Sequence, residues 1–319
     1  LPIIFAALIL ALLVAASLRM GLDFWAADAD MVGTLLKVRG IRVGVAIITG
    51  SALAVAGVLL QALLRNPLAS PDVLGLSAGA GLGVMIAAYA AYAAGLGIAH
   101  LGLWSAPAAL VGGLGALGLV YLMSQRRGLV EPVSLILVGV VVSILCGSGI
   151  EFIKHLLPDR GTAVGRLLMG SVRDVSISML IGSGLAALIG ILAAWTSARA
   201  IDAASLPEDE ARSVGVHLGA LRLILFSVAG VLTAASVVLT GPIGFIGLVA
   251  PHLARLLVGP SHRILIPAAA ILGATIVVLA DALARVIDLG SGPMPVGILT
   301  TVLGGPLFIW MLRTQMRAR

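Results

Sequence analysis

Apolar residues fall in ten runs, at about residues 2–20, 43–63, 73–94, 103–123, 130–153, 176–197, 219–240, 243–258, 264–287 and 295–312, separated by short polar breaks. A helix that crosses a bilayer core takes about 20 apolar residues, so the pattern predicts an all-α polytopic membrane protein with about ten transmembrane helices. The 319 residues leave no room for a sizeable soluble domain, and residues 1–319 read as a single transmembrane domain. The eighth run is short and opens with Gly241-Pro242-Ile243-Gly244. It is expected to begin as broken backbone, which a membrane tolerates only where protein or a water-filled cavity covers it.

Composition points the same way. Hydrophobic residues make up 60% of the chain and charged residues 11%, well under the roughly 25% charge of a soluble domain; the mean hydropathy is +1.17. The net charge of +6 does not imply nucleic acid, because the arginines are scattered between apolar runs rather than clustered on a polar face. Forty glycines suit close helix packing in lipid. The string Gly75-Leu-Ser-Ala-Gly79-Ala-Gly81-Leu-Gly83 is read as such a packing surface, since its spacing does not fit a dinucleotide loop. A single Cys146 excludes an intramolecular disulfide and a cysteine-based zinc site. The run Leu1–Ser17 is read as the first transmembrane helix, a trimmed signal peptide being the alternative.

With both termini cytoplasmic, eleven basic residues collect on the inner side (Arg65, Arg212 and Arg255 among them) and nine on the outer side. That is a weak positive-inside bias. A faint repeat accompanies it: Arg42 precedes Gly50, and Arg222 precedes Gly230, by eight residues each, and Asn66-Pro67 and Gly241-Pro242 follow at the span ends. Spans two and seven run in opposite directions, so the relationship would be an inverted repeat of the kind that builds two-sided gates.

The usual catalytic patterns are missing. No Gly-Xaa4-Gly-Lys-Ser/Thr loop occurs, and the only lysines are Lys37 and Lys154, so the chain is not expected to hydrolyse ATP itself. The five histidines are dispersed, with no His-Glu-Xaa2-His pair, and no aspartate-rich magnesium motif is present. A self-powered secondary transporter would need ionisable residues within the membrane; Asp72, Glu131 and Asp281 all fall near span ends.

Two polar features remain. Between spans six and seven, residues 202–217 contain Leu206-Pro207-Glu208-Asp209-Glu210-Ala-Arg212-Ser213-Val-Gly215. Proline in a first turn followed by acids against the helix dipole marks a helix start, and Gly215 its end. This short cytoplasmic helix is either a solvated connector or a docking element for a separate motor. On the opposite side Arg39 and Arg42 stand at the entry to the second span and Arg285 at the exit of the ninth. They either snorkel to headgroups or take carboxylates of an external partner in bidentate pairs; for Arg285 an intrahelical pair with Asp281 is a third reading.

At Arg65-Asn-Pro-Leu-Ala-Ser-Pro-Asp-Val-Leu-Gly75 and Gly241-Pro-Ile-Gly-Phe-Ile-Gly-Leu-Val-Ala-Pro-His252-Leu-Ala-Arg255, the chain resembles the FecCD-type permeases, membrane subunits of importers for iron-siderophores, haem and cobalamin. The likeness continues through Gly259-Pro-Ser-His-Arg263, Ala280-Asp-Ala-Leu-Ala-Arg285 and Pro295-Val-Gly-Ile-Leu-Thr300, and blocks of it extend from residue 39 to 312. The resemblance implies a ten-helix protomer that homodimerises around a central pathway in a bacterial cytoplasmic membrane. Two ABC ATPase subunits would lie below it and a periplasmic or lipoprotein-type binding protein above. No cofactor is implied for this chain; ATP and magnesium belong to the ATPase. The resemblance also assigns roles. Glu208, Asp209, Glu210, Arg212, Ser213 and Gly215 match the coupling loop, Arg39, Arg42 and Arg285 match the arginines that receive acids of the binding protein, and spans five and ten suggest Ser143, Cys146, Gly147 and Thr300 as pathway residues.

Two departures stand out. Arg39-Gly40-Ile41-Arg42 replaces the family's Arg-Xaa-Pro-Arg, and Arg166-Leu-Leu-Met precedes Gly170-Ser171 where many members carry tryptophan. Iron chelate is the expected cargo because it is the commonest among similar permeases, with cobalamin as the alternative.

Overall fold

The computed structural model describes residues 2–21, 29–72, 74–95, 101–126, 129–130, 132–157, 169–286 and 294–317. These form α1 (Pro2–Gly21), α2 (Ala29–Leu63), α3 (Leu76–Ala93), α4 (Leu101–Met123), α5 (Pro132–His155), α6 (Ile177–Thr196), α7 (Ala198–Ala204), α8 (Glu208–Ser213), α9 (Leu218–Thr240), α10 (Ile246–Val258), α11 (His262–Val286) and α12 (Val296–Arg317). The only strands among the described residues are β1 (Gln125–Arg126) and β2 (Leu129–Val130), an antiparallel pair at the α4–α5 turn. Among the described residues, seven helices are long and apolar enough to cross a membrane, and Pro2–Ser17 of α1, Ile246–Val258 (α10) and Val296–Pro306 of α12 are shorter apolar stretches.

All ten apolar runs of the sequence became helices, and one boundary moved substantially. The second helix begins at Ala29, not near 43. Lys37, Arg39 and Arg42 look like loop residues by hydropathy, yet the α-helical hydrogen-bond ladder is indifferent to side-chain charge. No proline stands at position 41 to interrupt the ladder. Arg39 is buried, and Arg42 is neutralised by a partner described below. The run at 243–258 starts with non-helical backbone, as its Gly-Pro opening requires; α10 begins only at Ile246, with Phe245 in the left-handed region at φ 69°.

The long helix α2 sits at the centre, packed against α9, α10, α11 and α6. Glycine allows this. A Cβ on Gly50 would overlap the carbonyl of Gly273 in α11, and one on Gly57 would overlap Gly247 in α10. Backbones thus approach closely, the packing that replaces a hydrophobic driving force inside lipid. In α3, Gly79 and Gly83 lie against Gly112 and Ala108 of α4, so the glycine string is a helix-packing surface. Gly50 and Gly230, the paired positions of the faint repeat, meet different neighbours: the backbone of Gly273 and the side chain of Leu117.

Candidate functional site

The polar chemistry gathers at the two ends of the bundle and at one knot between them. At the first end, residues 198–217 form two helices, α7 and α8, joined by Ser205-Leu206-Pro207. Helix α8 starts directly after Pro207 and ends in a Schellman motif: Gly215 N–H donates to the Arg212 carbonyl (3.0 Å) and Val216 N–H to the Ala211 carbonyl (3.1 Å), with Gly215 at φ 85°. Ala211 is fully buried, while Asp209, Glu210, Arg212 and Ser213 are exposed. The Ser213 hydroxyl donates to the Glu210 carbonyl at 2.7 Å. Two apolar side chains project beside these charges, Leu206 at 41% exposure and Val214 at 62%. The element is a short knob with a buried root and a mixed apolar and charged tip. The side chain of Glu208 lies outside the described residues, as do residues 166–168 of the segment where the family's tryptophan is missing.

Two sets of contacts bind this knob to neighbouring helices, and a third ties α6 to α11 beside it. Arg65, just past α2, donates from Nη2 to the carbonyls of Ala204 (2.8 Å) and Leu206 (2.9 Å). Asp202 of α7 accepts from the backbone N–H of His262 (3.0 Å), lies 2.6 Å from His262 Nδ1, and accepts from the Ser261 hydroxyl (3.3 Å). It therefore places a carboxylate on the N-terminus of α11, where the helix dipole favours negative charge. Trp195 Nε1 donates to the Arg263 carbonyl at 3.0 Å, and the Arg263 guanidinium lies 5.8 Å from the Trp195 ring centroid, within cation–π range.

At the other end, Arg42 is not waiting for a partner. Its Nε and Nη2 donate to the two carboxylate oxygens of Asp174, each at 2.6 Å, the bidentate fork that gives arginine its preference for carboxylates. Asp281, buried on α11, lies within electrostatic reach of Arg42 and pairs with Arg285 one turn on at 3.7 Å. The intrahelical reading of Arg285 is therefore realised. Arg39 is buried on α2. Arg173, beside Asp174, is half-buried; burial lowers the pKa of its guanidinium, and its Nε has no hydrogen-bond partner among the described residues.

Between the ends, the two signature loops meet. The Asp72 carboxylate accepts from the Ser77 hydroxyl at 2.7 Å and from the backbone N–H of Phe245. The Phe245 side chain packs on Gly304 of α12, where a Cβ would come within 2.7 Å of it. Ser143 of α5 donates to the Gly139 carbonyl (2.9 Å) and reaches the Asp72 carbonyl (3.3 Å). Gly147 lies one turn from Ser143 on the same face. Cys146 is buried and lines an apolar groove of about 680 Å³ between α3, α4 and α5. Thr300 is buried on α12, its hydroxyl bonded to the Gly297 carbonyl at 3.1 Å. Ser143 thus faces the Asp72 loop, Gly147 one turn on borders open space, Cys146 points to the α3–α4 side and Thr300 belongs to another helix. Among the described residues, no three His, Cys, Asp or Glu side chains come together as a metal cluster.

Sequence reasoning passed over Arg65, Asp174, Asp202 and His262 as contacts. A local signal existed for Arg65 alone, the Asn-Pro that follows it at a helix end. The partners of the others lie 60 or more residues away.

The fold and this arrangement define a multi-pass membrane protein with a projecting knob at one end and a paired-charge surface at the other. The model of the FecCD transport family matches residues 3–314, and the chain belongs to that family. It is 35% identical over 286 residues to the hemin transport system permease protein HmuU of Yersinia pestis, covering 89% of this chain and 84% of that protein. It is 36% identical over 278 residues to the Fe(3+)-citrate import system permease protein YfmE of Bacillus subtilis (86% and 80% covered). Identity to the vitamin B12 import system permease protein BtuC of Vibrio cholerae is 38% over 272 residues (85% and 80%). A solved structure described as an inward-facing conformation of a metal-chelate type ABC transporter superposes with a TM-score of 0.86 at 29% identity, covering 98% of this chain and 100% of that one.

Proposed function

We propose that the chain is the permease subunit of an ABC importer that carries an iron chelate, a siderophore or haem, across the bacterial cytoplasmic membrane. The family match over residues 3–314 carries this reading. Seven long and three shorter apolar helices are read as ten spans, with the α7–α8 end cytoplasmic. Two ATPase subunits bind ATP and magnesium; the permease holds no cofactor and hydrolyses nothing.

Residues Glu208 to Gly215 form the coupling element, with Leu206 and Val214 as apolar anchors in a groove of the ATPase. Arg39, Arg42 and Arg285 receive acids of a periplasmic or lipoprotein-type binding protein. Most of the side chains that α5 and α12 leave exposed, among them Val141, Ile144, Leu145, Val302 and Leu303, are apolar, with Ser148, Glu151, His155 and Thr301 exposed beside them; a second copy of the chain covers part of this surface and completes the pathway. ATP binding closes the motors and shifts the dimer between outward-open and inward-open states. Nucleotide and chelate drive the shift only through their differing affinities for those states. The apolar, weakly charged surface lets a bulky chelate pass without tight trapping.

Co-purification of the tagged permease from its native membrane, with mass spectrometry of bound proteins and metal analysis of the captured binding protein, tests this. A P-loop ATPase together with a binding protein loaded with ferric siderophore or haem supports it. A cobalamin-loaded binding protein keeps the class and changes the cargo. Recovery of the permease alone, with uptake in liposomes driven by an ion gradient, overturns it in favour of a secondary transporter.

A further inference from the structure

Helix α2 ends in a Schellman motif: Asn66 N–H donates to the Gln61 carbonyl (3.1 Å) and Arg65 N–H to the Ala62 carbonyl (3.3 Å). The residue between the two bonds must be left-handed, and glycine is the usual occupant. Here it is Arg65, at φ 47°. A side chain in that region costs about 1–2 kcal/mol, so the position carries backbone strain that glycine would remove. Helix α8 ends in the same motif with Gly215 in the equivalent place. The difference between the two positions is what the side chain does. The Arg65 guanidinium holds the carbonyls of Ala204 and Leu206, on either side of the α7–α8 bend.

On the other flank of the knob, Asp202 takes the first backbone N–H of α11 and the ring of His262. The two helices so engaged are the pair that meet backbone to backbone at Gly50 and Gly273. Their far ends carry Arg42 and the Asp281–Arg285 pair.

We propose that Arg65 and the Asp202–His262 pair are positioning contacts that fasten the coupling knob to the α2–α11 pair, so that displacement of α8 moves both helices as one body. This rests on the permease reading given above. Without these contacts the knob still docks on the ATPase, because its exposed tip is untouched, but its motion is absorbed by the bend at Ser205–Pro207. The signature is a changed coupling ratio, not lost assembly.

The test uses the complete importer in liposomes, with ATP hydrolysed per chelate imported as the readout and ATPase co-purification as the assembly control. The variants are Arg65→Ala with Asp202→Ala, Asp202→Asn alone and Arg65→Lys alone. The double variant is expected to keep its ATPase and hydrolyse ATP while uptake per ATP falls about tenfold, within the range by which residues between two sites modulate coupling. Asp202→Asn keeps the acceptor oxygen for the His262 N–H and restores most of the ratio. Arg65→Lys keeps the charge, but its ammonium ends one bond short of Nη2, the single nitrogen that holds both carbonyls, and it loses about threefold; it also serves if the double variant does not accumulate. A wild-type ratio in Arg65→Lys and, where it accumulates, in the double variant overturns the proposal. Failure of the wild-type chain to bind any ATPase overturns instead the permease reading on which it rests.

Discussion

Arg65 and Gly215 occupy the same left-handed position of the same helix-ending motif, one closing α2 and the other closing α8, at φ 47° and 85°. The backbone demand is equal at both sites, and only Arg65 meets it with a strained residue. Arg65→Gly and Arg65→Ala lose the same two hydrogen bonds, but only glycine relieves the backbone. The glycine variant is therefore expected to be more stable than the alanine variant by about 1 kcal/mol, read as a higher Tm in detergent. Both should transport poorly. Equal melting temperatures would show that the position is not strained.

The fork between Arg42 and Asp174 sets a second expectation. Asp174 is 57% exposed on its side chain, so the pair is a surface ion pair worth about 0.2–1 kcal/mol. An acidic side chain of a binding protein can exchange with Asp174 at little cost. Asp174→Asn should strengthen binding-protein affinity about two- to fivefold at low salt, and adding Arg42→Ala should cancel the gain. Affinity unchanged by Asp174→Asn, measured by titration of the purified partner onto the reconstituted importer, would remove Arg42 from the docking surface.

The knob makes a third prediction, about assembly. Leu206→Ser with Val214→Ser removes the two exposed apolar side chains of the knob without touching the buried Ala211. Full burial of such a side chain is worth about 1.5–3 kcal/mol, so ATPase capture should weaken at least tenfold while the permease itself melts as before. Replacing Glu208, Asp209 and Glu210 together by alanine should uncouple hydrolysis from uptake. Normal ligand-stimulated hydrolysis and normal transport in that triple variant would sink the docking assignment.

The fourth concerns the central helix crossing. Gly50→Ala and Gly273→Ala each push a methyl group into opposing backbone, where no side chain can rotate aside. Overpacking of this kind costs about 1–3 kcal/mol. Gly118→Ala in α4, where nothing stands within 4 Å of the added carbon, should cost nothing. Thermal unfolding of the three variants side by side separates a crossing that must be bare from a glycine that merely tolerates its place.

Hydropathy alone determined that this chain is helical and membrane-spanning, because the length of a span and the aversion of lipid for unpaired backbone act on contiguous residues. Local chemistry likewise marked the start of α8 at Pro207, its end at Gly215 and the broken backbone before α10. The signature blocks around residues 65–75 and 241–255 were enough to point to the family. Tertiary structure alone decided who holds whom. Arg42 meets Asp174 across 132 positions, Arg65 meets Ala204 across 139, and Asp202 meets His262 across 60. A charged side chain carries no record in sequence of which distant helix end will face it; that follows from how glycine-lined helices cross and which termini they bring together. For the same reason Arg39, Arg42 and Arg285, alike in the sequence, became different in the fold: Arg42 forked onto a loop acid, Arg285 paired within its own helix, and Arg39 buried on α2.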